Sequence, residues 1–141
     1  MSFLTTEDYK AVSDEQTLQV IQQSDEPNRQ RAEKYAIEEI SAYLRGRYDM
    51  QAAFATTGNE RNAQLVMITA DIALYHLIAW LPKRMGFEIR ELRYKRAIEF
   101  LEAVQAGKAS PDLPPIINPE TGTDSGIPVK YGSWPKSTYD Y

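Results

Sequence analysis

Proline placement constrains this chain more than any other feature. Of eight prolines, only Pro27 and Pro82 precede Lys108, whereas Pro111, Pro114, Pro115, Pro119, Pro128 and Pro135 follow it. A proline ring removes a backbone donor and clashes with the preceding turn, so helices accept it only in their first turn or beyond their end. Up to Gly107 the apolar residues recur at steps of three and four, the period of an amphipathic helix. The expected fold is all-α, a small bundle of about five helices with a long, extended C-terminal arm rich in Pro, Gly and aromatic residues. The expected division is a helical domain over residues 1–108 and the arm over 109–141, with a loose hairpin around Thr121, Gly122, Thr123 and Asp124.

The helix boundaries follow from capping chemistry. A first helix starts at Thr5 or Thr6, with the hydroxyl as cap and Glu7 and Asp8 at the positive end of the dipole, and ends near Val12. A second starts at Ser13, Asp14 and Glu15, with Leu18 and Ile21 as a narrow apolar edge through about Gln23. Ser24, Asp25, Glu26 and Pro27 open a long third helix that stops at Gly46. Its predicted core stripe is Ala32, Tyr35, Ala36, Ile40, Tyr43 and Leu44, with Arg29–Glu33 and Lys34–Glu38 as exposed pairs. A connector through Thr56, Thr57 and Gly58 leads to a central helix over residues 59–81, apolar on most sides through Leu65, Ile68, Ile72, Leu77 and Ile78 and ended by Pro82. The last helix covers residues 87–106, with Tyr94, Ala97, Ile98, Leu101 and Val104 inward and Gly107 as its cap.

Composition removes whole classes of chemistry. With no cysteine and one histidine, His76, thiolate and multi-histidine metal sites lack ligands within one chain. Sixteen Lys and Arg against 20 Asp and Glu give a net charge of −4, which argues against tight wrapping of nucleic acid. Residues 1–8 lack the basic flank and apolar run of an export signal. Residues 65–81 carry Thr69, Asp71 and His76 and fall short of the roughly 20 apolar residues that span a bilayer, so no membrane partner is expected. Neither a phosphate-binding glycine loop nor a nucleophile elbow is present. The expectation is a protein without enzymatic activity and without cofactor or metal.

Two groups of residues remain as candidate sites. Asp71, Tyr75 and His76 lie together on the central helix, where a carboxylate near an imidazole is the arrangement that tunes a general base. The favoured reading is a structural polar cluster in which Arg45, Arg47 or Arg93 satisfies the buried Asp71. Glu38 with Glu39 and Glu99 with Glu102 read as solvated faces. Lys83, Arg84, Arg90, Arg93, Lys95 and Arg96 concentrate positive charge without assuring a continuous patch. In the arm, Ile127, Val129, Tyr131, Trp134, Tyr139 and Tyr141 are too large and too regularly placed for a plain linker. Docking onto a neighbouring chain is preferred over folding back.

Three segments, residues 43–48 (YLRGRY), 71–77 (DIALYHL) and 93–108 (RYKRAIEFLEAVQAGK), together resemble a Mu-like phage and prophage family known as a domain of unknown function. The likeness covers residues 3–113. Members of that family resemble the helical head-tail connector, or adaptor, proteins of tailed bacteriophages. The resemblance implies a dodecameric ring in the virion neck, formed in the host cytoplasm during assembly. The ring would bind the portal on one side and a tail-completion or stopper protein on the other, while DNA passes through without sequence-specific contact. It also implies that the arm clamps the portal, with Tyr131 and Trp134 as anchors. The rival readings are a small DNA-binding or DNA-packaging accessory protein and a small hydrolase using Asp71 and His76.

Overall fold

The computed structural model describes residues 3–12, 26–79 and 87–116. Among them are five α-helices: α1 (Thr6–Val12), α2 (Glu26–Leu44), α3 (Met50–Ala55), α4 (Ala63–Ala79) and α5 (Phe87–Gln105), with a 3-10 turn at Gly58–Glu60 before α4. The fold is all-α, as the helical period predicts. The helix expected over residues 13–23 and the stop at Pro82 lie outside the described residues.

Helix α4 is the axis of the bundle, packing on α1, α2 and α5. Its buried residues include Leu65, Ile68, Ala70, Ile72, Ala73, Leu74, Leu77 and Ile78, which cover most of its circumference. The one hydroxyl among them, on Thr69, donates to the Leu65 carbonyl at 2.6 Å, so no polar group is stranded. Facing it, α2 presents Ala32, Ala36, Ile40 and Leu44, spaced by four and each no more than 1% exposed. Two alanines in that row let the helix backbones approach closely, and the larger Ile40 and Leu44 fill the space below. The stripe is narrower than expected: Tyr43 is only half-buried and Tyr35 stands 47% exposed. From α5, Ala97, Leu101 and Val104 close the core, with Tyr94 and Ile98 at its margin.

Local chemistry sets the ends. At α1 the cap runs opposite to expectation, because Asp8 reaches back to accept from the Thr5 amide at 2.6 Å and the Thr5 hydroxyl at 3.1 Å. This is the reciprocal half of a capping box. Helix α3 falls where a plain connector was expected; Asp49 caps it by accepting from the Ala52 amide at 3.1 Å, and Met50 and Ala53 are buried. Helix α4 begins four residues later than expected, at Ala63, because Asn62 caps it through the Leu65 amide at 2.8 Å. Gly107 ends α5 at φ +83°, with its amide on the Val104 carbonyl and the Lys108 amide on the Ala103 carbonyl. That paired closure is the Schellman arrangement, which needs a left-handed residue.

Beyond α5 the chain does not leave the body at once. Leu113 is buried, the Asp112 carbonyl accepts from the Asn62 side chain at 2.9 Å, and the Pro114 carbonyl accepts from the Asp49 amide at 2.8 Å. Pro115 forms an antiparallel bridge with Tyr48. Residues 109–116, expected as the start of the arm, therefore lie back on the helices of their own chain. No helix among the described residues is long and apolar enough to cross a membrane.

Candidate functional site

Asp71, 5% exposed, projects from α4 toward α5. Arg93 donates Nε–H to its Oδ1 at 2.6 Å, and Arg90 Nη1 stands 3.8 Å from the same oxygen. Arg93 is the partner the sequence offered; Arg90, itself 5% exposed, was read there only as part of a surface charge cluster. One carboxylate between two guanidiniums clamps α4 to α5, and removing the carboxylate would take away the charge that both face.

His76 belongs to a different network. Its Nε2 lies 3.1 Å from Glu39 Oε1 on α2, and the Tyr94 hydroxyl on α5 donates to Glu39 Oε2. Glu39 thus joins three helices, a correction to its reading as a solvated acid: its side chain is 26% exposed. The His76 hydrogen bond holds the Glu39 carboxyl below its ordinary range against the opposing effect of burial, with Tyr94 adding to the hold. Burial, reinforced by Glu39, pushes the Tyr94 phenol up. Tyr75 stacks on Tyr94 with ring centres 4.1 Å apart and a 15° tilt, while Tyr35 meets His76 edge-on at 6.1 Å. Asp71 and His76, five positions apart on α4, are committed to separate partners, Arg93 on α5 and Glu39 on α2. The acid-imidazole pair that a hydrolase would need is not assembled from them.

The other candidates disperse. Arg45 pairs with Glu38 at 2.7 Å and donates to the Ser41 carbonyl. Arg47 donates to the Gln105 carbonyl at 3.2 Å, helping to close the end of α5. Neither touches Asp71. Of the basic group, Lys95 and Arg96 are exposed, Arg93 is half-buried on Asp71, and Lys83 and Arg84 lie outside the described residues. Glu99 and Glu102 are exposed, as read. The arm residues Ile127, Val129, Tyr131, Trp134, Tyr139 and Tyr141 lie outside the described residues. Among the described residues no group of three or more His, Asp or Glu side chains could hold a metal ion.

A third network fastens the N-terminal segment. Glu33, expected as an exposed partner of Arg29, is buried and accepts the amides of Phe3 at 2.9 Å and Leu4 at 3.3 Å. Arg61 donates to the Phe3 carbonyl at 2.8 Å, to both Asp8 oxygens at 2.6 and 3.2 Å, and to the Gly58 carbonyl at 2.8 Å, with its guanidinium 5.7 Å from the centre of the Phe3 ring. Burial works against a charged Asp8, but its bonds from Arg61 and Thr5 outweigh that and lower its pKa. No motif marks Glu33, Glu39 or Arg61, because the partners that tie them to other segments lie about 30 or more residues away.

An open groove of about 810 Å³ lies where α2, α3 and the returning chain meet, lined by Ile37, Ser41, Tyr48, Met50, Phe54 and Ile116 among others. Glu38, Arg45 and Asp49 stand at its rim. Its lining is mostly apolar, with the Ser41 hydroxyl, the Tyr48 phenol and the Gln51 amide as neutral polar groups.

No curated protein and no solved structure matches this chain. A protein-family model, described as bacteriophage Mu, Gp36, matches residues 3–126, which takes in every described helix and the returning segment through Ile116. The chain belongs to the bacteriophage Mu Gp36 family.

Proposed function

We propose that this protein is a head-tail connector of a tailed bacteriophage: a structural subunit of a ring between portal and tail-completion proteins, through which DNA passes. It works without catalysis, and its place is the virion neck after assembly in the host cytoplasm. The observation that carries this reading is the way the phage-family body spends its buried polar groups. Asp71, Glu39 and Glu33 each tie one segment of the chain to another, so these carboxylates serve the packing of the body. A net charge of −4 suits a conduit wall that must let a polyanion slide past without holding its phosphates. Ring closure is heterologous, so two different faces of each subunit must complement one another. Exposed Tyr35 on α2 and exposed Ile89 and Leu92 on α5 supply apolar area on two such faces.

The test is native mass spectrometry of the full chain with and without its portal, beside a duplex-DNA titration at physiological salt. A defined ring on the portal and indifference to DNA support the connector. Salt-dependent affinity for DNA with no portal complex would favour a DNA-packaging accessory protein instead.

A further inference from the structure

We infer that copies of this chain join head to tail, the outer face of α2 in one copy lying parallel against the outer face of α5 in the next. The contact rests on the connector reading for its closure into a ring, and it supplies the two unlike faces such a ring needs.

The two faces share one spacing and carry opposite charge. On α2, Arg31, Lys34, Glu38 and Arg45 are exposed and follow one another at steps of three, four and seven residues, so they line one side of the helix. On α5, Glu88, Glu91, Lys95 and Glu102 repeat those steps, with Glu91 half-buried and the others exposed. Every sign is inverted. Two helices of equal rise laid side by side in parallel bring Arg31 against Glu88, Lys34 against Glu91, Glu38 against Lys95 and Arg45 against Glu102. The ion pair between Arg45 and Glu38 within one copy is no obstacle, because both side chains are more than half exposed and such a pair is weak.

Apolar surface fixes the direction. The parallel alignment sets Tyr35, 47% exposed, against Leu92, 50% exposed, and covering both removes them from water. An antiparallel alignment would also match the charges, using Glu99 for Lys34, but it places Tyr35 opposite Ile98, which already packs on the core of its own chain. Like faces repel: α2 on α2 sets cations together, and α5 on α5 sets carboxylates together, so a two-fold dimer through either face is disfavoured and the unlike pairing is selected.

The test reverses charge on each face of the full chain and follows self-association by sedimentation equilibrium at low salt, up to about 1 mM protein. The wild-type chain should associate. Arg31→Glu with Lys34→Glu, or Glu88→Lys with Glu91→Lys, should each weaken association about tenfold or more, and all four together should bring it back to within about threefold of wild type. The fourfold variant keeps the net charge of −4, so a control separates pairing from total charge: Arg31→Glu and Lys34→Glu combined with Glu7→Lys and Glu60→Lys, exposed acids on other elements, should stay weak. Arg31→Glu with Glu88→Lys repeats the swap at two exposed positions with the least change to the fold, and circular dichroism checks the helices of every variant. A wild-type chain that stays monomeric throughout overturns the inference, as does a swap that fails to restore association or a control that restores it equally. Neither portal nor DNA is present, so these outcomes judge the contact between copies separately from the portal and DNA tests of the connector.

Discussion

Asp71 is a buried carboxylate, 5% exposed, held between two arginines of α5. Asp71→Asn would keep the shape and remove the carboxylate charge that Arg93 binds and Arg90 faces. The expected loss is about 3 kcal/mol, at the low end for a broken buried pair because the Arg93 side chain is 35% exposed. Urea denaturation measures it, with an unchanged slope showing that the fold survives. Asp8 and Glu39 set the acid limb. Both carboxyls lie below their ordinary values of 3.8 and 4.5 in the folded chain. The unfolded chain therefore binds protons first, and the stability from these groups is complete above those values and lost as pH falls through the lowered ones. In thermal melts across the acid range, Asp8→Asn and Glu39→Gln should each flatten the decline. Tyr94 has the opposite sign: its raised phenol keeps its contribution below pH 10 and loses it above. At this scale Asp71 and Arg93 were legible, since a buried carboxylate on the central helix demands a cation and α5 supplies one. Glu39 was not legible, because its partners are 37 and 55 residues away and only the register of three helices brings them together.

The helices with strong punctuation were legible to within a few residues. Helix α2 follows Ser24–Pro27 and ends just before Gly46, and α5 stops at Gly107, where only a left-handed residue closes the paired bonds. Gly107→Ala should cost about 1 to 2 kcal/mol from the positive φ alone. The new Cβ would lie 3.4 Å from the Arg47 guanidinium, a flexible tip that can yield. Helix α3 was missed because six residues are too few to display a period, and its start depends on Asp49, which could equally have served a turn. The early start given to α4 has a related cause: apolar spacing does not separate Asn59 from Asn62, and only the Leu65 bond identifies the cap. Asn62→Ala should lower stability by about 1 kcal/mol in the same denaturation assay. Half of that residue's work goes elsewhere, into the Asp112 carbonyl, so the loss should be smaller in a chain that ends before residue 112.

For the molecule as a unit, the sharp change in composition at Lys108 marks the end of helix and not the end of the body. Proline content reports where helices stop, whereas the seat of Leu113 and the Tyr48–Pro115 bridge depend on a surface formed by distant segments. A chain ending after Ile116 should keep its helical circular dichroism and unfold cooperatively. One ending after Leu113 leaves the Asp49 amide without the Pro114 carbonyl and should be about 1 kcal/mol less stable. The Arg61 clasp also has a consequence in time. The segment from Phe3 to Asp8 is synthesised before Arg61, which holds the Phe3 carbonyl and Asp8 and is made 58 and 53 residues later. At about 5 to 20 residues per second, that stretch waits several seconds for this fastener, so translation pauses before the Arg61 codon would prolong its vulnerability to proteases.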